Sequence, residues 1–270
     1  MKRLYNTNFI IGFTLIMFIF IMCLISFFWT PYPPNQTSTS ELASPSSSHL
    51  LGTDHLGRDV LSRVMKGSQM TFLIGFSTLI LGGSLGILIG LFSGYVGGRL
   101  DDLLMRIIDM FMAIPGTVMI LLVVAIFGRG TKQTIVAISI MNLPNFAKIT
   151  RSEVLSLKSQ DHILWARSLG CSNIRIIFLH ILPDLVPILL VSAAMKFSSS
   201  IMAETGLSYL GLGIQQPDPS WGNMLTRAQA SIISSPLTAV IPGLLITIFV
   251  IGFNLLSDGL REALNIKEVL

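Results

Sequence analysis

From Gly67 to Gly98 the chain runs for 32 residues without one charged side chain, and from Phe9 to Trp29 it does the same for 21. A helix needs about 20 apolar residues to cross the hydrocarbon of a bilayer, so each stretch is long enough to span one. The rest of the sequence agrees: 51% of residues are hydrophobic and 12% charged, where a soluble domain carries roughly 25% charged residues. An ordinary water-soluble globule is excluded. Disorder is excluded as well, because it needs low hydrophobicity and high net charge. In 270 residues there is room for several spans and little else, so a large soluble catalytic domain does not fit.

Further uncharged or nearly uncharged stretches are Met110 to Gly128, Gln133 to Ala147, Leu185 to Ala203 and Leu237 to Leu256. The Gln133 stretch is short and holds Asn142, Pro144 and Asn145, and Lys196 interrupts the Leu185 stretch. Orientation decides these two cases, because Lys and Arg accumulate in short loops on the cytoplasmic side. With six spans, eleven basic residues fall inside, among them Lys2, Arg3, Lys148, Arg151, Arg167, Arg261 and Lys267, and six outside, among them Arg58, Arg63 and Arg227. Dropping either weak span spoils that bias. The expectation is an all-α polytopic protein of the cell membrane with both termini cytoplasmic. Its parts are a cytoplasmic N-terminus at 1–8, a first span at 9–29, an extracytoplasmic loop at 30–66, a transmembrane domain at 67–264 and a cytoplasmic tail at 265–270. The alternative for the first span is a cleaved signal peptide, since Lys2 and Arg3 precede it, but the run exceeds the usual 7–15 apolar residues.

The net charge of +4 comes from basic residues scattered between apolar stretches, which reads as membrane orientation and not as a nucleic-acid surface. Cys23 and Cys171 lie far apart and form neither a disulfide framework nor a metal-ligand spacing. Gly82, Gly86, Gly90 and Gly94 recur every four residues, so one face of the second span lets another helix approach its backbone closely. Packing within one bundle and a dimer face are the two readings of that stripe. Pro115 and Pro242 each remove a backbone hydrogen bond and are expected to kink their helices.

The longest inside segment, 148–184, reads as short helices. Thr150 to Lys158 suits one. Ile163, Ala166, Arg167 and Gly170 recur at spacings of three and four, giving a face of small and apolar residues suited to docking another protein. Gly170 is placed to end that helix, Ser172 or Asn173 to cap the next, and Pro183 to stop it. The run from Trp165 to Gly170, followed after ten residues by Ile181, Leu182 and Pro183, resembles the EAA-type loop of ABC importer permeases. Leu164 and Trp165 stand where that family has Glu and Ala. The stretch Leu51 to Asp59 with Ser62 and Arg63, the run Gly94 to Pro115, and Leu207 to Gly213 with Pro217, Pro219, Trp221 and Gly222 resemble the dipeptide, oligopeptide and nickel permeases of that family, in matching order.

The resemblance implies the C-type member of a permease pair. Its partners would be a second, B-type permease, cytoplasmic ABC ATPases and an extracytoplasmic substrate-binding protein. It also implies ATPase coupling through Ile163, Trp165, Ala166, Arg167, Gly170, Leu182 and Pro183, and transport of peptides or, alternatively, nickel or a metal chelate. The residues themselves offer no Walker A loop, since the run Gly128 to Lys132 has the wrong spacing. A transport subunit with no cofactor and no enzymatic activity of its own is expected. The four histidines are divided between the two sides, so no shared metal site is expected. Lys196, a charge at membrane depth, and Glu204, eight residues on, are candidates for the substrate path. Snorkelling, or pairing with a partner subunit, is the alternative for Lys196. Another class of function, a secondary transporter or channel that needs no ATP, would call for several intramembrane ionisable groups.

Overall fold

The computed structural model describes residues 6–264, so the tail at 265–270 and the charges of Lys2, Arg3 and Lys267 lie outside the described residues. Within them the architecture is helical. Helix α1 (Thr7–Phe28) is capped by the Asn6 side chain and lies along the last helix, α11 (Leu237–Ala263), where Gly12 and Gly259 let the two backbones touch. After α1 the chain runs through turns to Asp59, whose carboxylate accepts the Ser62 N–H and starts α2 (Val60–Thr78). A π-helical turn, Leu79–Gly83, leads without interruption into α3 (Ser84–Val96). The second apolar element is therefore one helix of 37 residues, Val60–Val96. It starts at Val60 and not at Gly67, because the Asp59 cap and not the onset of hydrophobicity sets its first turn.

Helices α4 (Gly98–Ala113) and α5 (Gly116–Phe127) meet at a 90° bend. The kink expected at Pro115 is a full break. Proline forces the residue before it out of the helical region, and Ile114 is extended at φ −92°, ψ 126°. Twelve residues of α5 rise about 18 Å, well short of a bilayer core of about 30 Å. Helix α6 (Thr131–Leu157) is continuous for 27 residues, so Thr150 to Leu157 is its last two turns and no separate helix. Its polar residues turn inward: Asn142 is fully buried and donates to Ser200 Oγ at 2.8 Å. Among the described residues, four helical stretches are by length and composition apolar enough to cross a membrane, or five if the bent α4–α5 pair is one span.

Two short helices follow, α7 (Asp161–Ser168) and α8 (Asn173–Ile176). A second π-helical turn, Ile177–Ile181, joins α8 to the long α9 (Leu182–Tyr209). Pro183 does not stop the helix. A proline ring collides with the carbonyl four residues before it in a regular α-helix, and a widened turn just upstream removes that conflict. The stretch Leu185 to Ala203 is thus the middle of a 37-residue run, Asn173–Tyr209. Beyond its far end α10 (Trp221–Ala228) is opened by a Ser220–Asn223 capping box.

Three cores hold the helices together. One joins α1, α2, α9, α10 and α11 around Phe72, Phe197, Phe249 and Trp221. A second joins α3, α6, α7 and the α8–α9 segment around Leu91, Val154, Ile163 and Ile181. The third sits between α5, α6, α2 and the end of α9. The four spaced glycines lie against α6. A Cβ at Gly86 would come within 2.5 Å of the Leu143 carbonyl, and one at Gly90 within 2.5 Å of the Ala147 carbonyl.

Candidate functional site

Helix α7 sits at the end of the bundle where α3, α4, α6 and the start of α9 meet. Asp161 in its first turn and Arg167 in its last each match the sign of the helix dipole. The helix closes in a Schellman motif, with Cys171 N–H on Ala166 O at 3.1 Å and Gly170 N–H on Arg167 O at 3.0 Å. That motif needs a left-handed residue at the turn, and Gly170 supplies it at φ +79° with open space around it. Ser172 then caps α8 by accepting the Arg175 N–H.

The two faces of α7 differ. Ile163, 0% exposed, and Ala166 point inward onto the core that holds Leu91, Tyr95, Val154 and Ile176. This corrects their placement on a docking face: they anchor α7 to its own chain. The outward face carries Leu164, Trp165 at 69% exposure and Leu169 at 80%, and Ile174 of α8 is exposed as well. Burying one such leucine under another protein gains roughly 1.5–3 kcal/mol. Leu169 falls within the Trp165 to Gly170 run but off its helical period, and Ile174 stands in a helix of four residues, too short to show one. Leu182 packs on the same inner core, and Pro183 is exposed on the first turn of α9.

Polar contacts tie α7 to the long helices. The Arg167 guanidinium lies 5.7 Å over the Tyr95 ring and donates to the Tyr95 hydroxyl at 3.4 Å. That hydroxyl donates to Asn173 Oδ1 at 2.9 Å. His162 Nε2 is 3.0 Å from Asp184 of α9. Just behind, Arg151 of α6 grips Asp101 of α4 with two hydrogen bonds of 2.6 and 2.7 Å. The Ser93 hydroxyl donates to the same carboxylate, and Lys158 Nζ donates to the Gly94 carbonyl at 3.0 Å. Fork-to-fork Arg–carboxylate pairs fix orientation as well as energy, so α3, α4, α6 and α7 are held as one block.

The path candidates lie elsewhere. Lys196 is half-buried midway along α9, and among the described residues no acidic side chain is within ion-pair distance of it. Glu204 is 1% exposed, accepts from Ser208 Oγ at 2.6 Å and so belongs to the packing between α9 and the segment that leads to α10. The structure does not bring the two together. Outside the spans, His49 pairs with Asp59 at 2.9 Å and Asp54 with Arg58 at 2.7 Å, so these two acids are committed to local partners.

Residues 86–267 match the family described as binding-protein-dependent transport system inner membrane component. The glutathione transport system permease protein GsiD of Pectobacterium atrosepticum is 40% identical over 256 residues, 92% of this chain and 85% of that protein. The di/tripeptide transport system permease protein DppC of Pseudomonas aeruginosa is 37% identical over 95% of this chain and 88% of its own length. The dipeptide permease DppC of Alkalihalophilus pseudofirmus is 38% identical over 85% of this chain and 75% of that protein. Among solved structures, an inward-facing MetNI methionine ABC transporter aligns with a TM-score of 0.57 at 18% identity, covering 77% of this chain and 96% of that one. At that identity the likeness concerns the fold.

Proposed function

The chain belongs to the family of binding-protein-dependent transport system inner membrane components, and from that premise we propose that it is the C-type permease of an ATP-driven importer of short peptides or peptide-like solutes. It pairs with a second permease, rests on cytoplasmic ABC ATPases and receives substrate from an extracytoplasmic binding protein. Six crossings, made by α1, α2–α3, the broken α4–α5 pair, α6, α8–α9 and α11, place both termini in the cytoplasm together with α7. The relatives above carry dipeptides, tripeptides or glutathione by name, which supports peptides over nickel. They are transport permeases, which supports a subunit without enzymatic activity of its own. The domain boundaries at 1–8, 9–29, 30–66 and 67–264 are proposed on the same topology, with the coupling segment at 148–184.

One observation carries the reading: α7 buries one face in its own bundle and leaves Leu164, Trp165 and Leu169 uncovered on the other. ATP-driven closure of the docked ATPases pushes on that outer face. Tyr95, Arg167 and Asn173 pass the displacement to α3 and α8, and the Asp101–Arg151 clamp carries it to α4 and α6. The bundle rocks as a block between two packed arrangements. Lys196, without an acidic partner among the described residues, is assigned to the path, where it would attract a substrate carboxylate.

The test is the double change Trp165→Glu with Leu169→Glu in the assembled transporter. Normal membrane abundance with at least about tenfold weaker ATPase association, equal to about 1.4 kcal/mol, and lost uptake is expected. Unchanged ATPase association would overturn the coupling role of α7. For the path, unchanged uptake by Lys196→Met at normal abundance would remove Lys196 from it.

A further inference from the structure

Three arginines converge where the turn segment before α2 meets α10. Arg63 is 1% exposed and Arg58 4%, and Arg227 closes the group from α10. The carboxylate among them is Asp54, and three of its acceptor sites are taken by Arg58 and by the backbone of its own turn. Its Oδ1 takes the N–H groups of Leu56 and Arg58 at 2.9 and 3.0 Å. Its Oδ2 takes Arg58 Nε at 2.8 Å, with Arg58 Nη2 at 2.7 Å, while Arg63 Nε remains at 3.6 Å. A carboxylate offers about four acceptor sites.

Arg63 Nη1 donates to Pro34 O and Asn35 Oδ1, both at 3.1 Å. Its Nη2 is buried and has no acceptor among the described residues, and Arg58 Nη2, although near Asp54, lies off the line of a hydrogen bond. The other acid nearby, Asp59, is held by His49 and by the Ser62 N–H and hydroxyl. The Gln216 carboxamide lies against the Arg227 guanidinium and supplies no charge. Burial pushes the His55 pKa down, against Asp54, which raises it, so His55 is neutral at pH 7. Two buried cations, Arg58 and Arg63, and the half-buried Arg227 therefore gather around Asp54, with Asp59 turned to His49 and Ser62, and buried charges are paired in folded proteins.

Asp54, His55, Arg63, Met224, Arg227 and Ser231 line a cavity of about 20 Å³ at this place. That volume admits one water-sized particle. A water molecule would accept from Arg63 Nη2 but would leave the surplus positive charge of the cluster uncompensated.

We propose that this cavity is a binding site for a single halide-sized inorganic anion, held by Arg63 Nη2 and Arg227 and joining the outer turn segment to α10. The anion locks two segments far apart in sequence, so its occupancy sets the rigidity of the outer face. Chloride is the probe. Thermal unfolding of the full-length chain in detergent is followed in potassium chloride and in potassium gluconate at equal ionic strength. An anion bound only to the folded state raises the melting temperature, by about 2–4 °C when it is present at roughly tenfold above its dissociation constant. Arg63→Lys keeps the charge, removes the unpartnered nitrogen and is expected to abolish most of that rise. A bromide-soaked crystal of the unaltered protein gives a second readout that no folding failure of the variant can confound. An anomalous peak within hydrogen-bonding distance of Arg63 Nη2 supports the site. Equal melting in the two salts with no such peak overturns it, as does bromide found only at other places, an adventitious ion only. Stabilisation by acetate without stabilisation by chloride overturns the choice of a halide.

Discussion

Both ends of the bundle are closed by a short helix of eight residues, α7 at one end and α10 at the other, and each carries a tryptophan. Trp221 of α10 is 1% exposed. Its indole N–H donates to the Val64 carbonyl at 3.1 Å, its ring meets Phe249 edge-on at 6.0 Å, and Gly67 makes room for it, since a Cβ there would come within 2.9 Å of the ring. Trp165 of α7 is 69% exposed and caps nothing. A Ser220–Asn223 capping box opens α10, whereas α7 opens on Gln160 with no side-chain cap. The same residue type thus closes one end from within and lies exposed at the other. A tryptophan tells where apolar surface is spent only once the chain around it is known.

The sharpest break of that comparison is truncation of each ring. Trp221→Ala empties a packed site and is expected to cost about 3–5 kcal/mol, enough to keep the chain from accumulating in membranes. Trp165→Ala is expected to change stability by no more than about 0.5 kcal/mol while weakening ATPase association. Abundance and thermal melting measure the first, co-purification the second. Equal losses of stability would erase the distinction between the two ends.

Behind α7 the comparison sharpens at the Asp101–Arg151 clamp, whose hydrogen bonds of 2.6 and 2.7 Å leave a charge stranded if either partner is lost. Arg151→Met is expected to destabilise by about 2–3 kcal/mol and to lower uptake in transporters that still hold their ATPases. Melting together with uptake per assembled complex measures both. Normal uptake would show that the block need not be rigid to transmit motion. The glycines give a smaller contrast. Gly90→Ala would drive its Cβ to 2.6 Å from Thr150 Cβ, at a cost of about 1–3 kcal/mol for overpacking. Gly170→Ala has open space and only its φ of +79° to contend with, about 1 kcal/mol. Melting curves of the two variants rank them.

The helical membrane class was legible because uninterrupted apolar runs have few alternatives, and the C-terminal turn of α7 was legible because Gly170 is the residue such a turn requires. The details that failed all depend on neighbours. Pro115 breaks its helix while Pro183 passes through one, and only the π-helical turn upstream of Pro183 separates the two outcomes. The polarity of Asn142 made α6 look marginal, because its partner Ser200 is 58 residues away. Ile163 and Trp165 are two positions apart, and which of them faces outward is decided by Tyr95 and Val154 on other helices. The outer arginines looked like scattered positive charge until the turns before α2 folded Asp54 between them.

The smallest expected effect concerns pH at the finished end. Burial pushes the His55 pKa below its ordinary value of about 6.5, and Arg58, Arg227 and Arg63 push it the same way, against Asp54. A group whose pKa is lower when folded binds its proton more readily when unfolded, so its contribution to stability is whole above the unfolded pKa. It is lost as pH falls through the folded one. The α10 end should therefore loosen as pH drops from about 7 into the range below 6.5, while α7, which lies outside this group of charges, should not follow. Amide hydrogen exchange of Trp221–Ala228 against Asp161–Ser168 across that range measures the difference, and His55→Gln should flatten it. Asp54 adds to the slope only at lower pH. Burial alone would raise its pKa, but Arg58 and the backbone N–H groups of Leu56 and Arg58 outweigh that and hold it below the usual carboxylate range. Its stabilisation is thus present above about pH 4 and is lost below it. A pH response of equal size in both helices, or one that survives His55→Gln, would mean that the finished end is not governed by the charges packed beneath it.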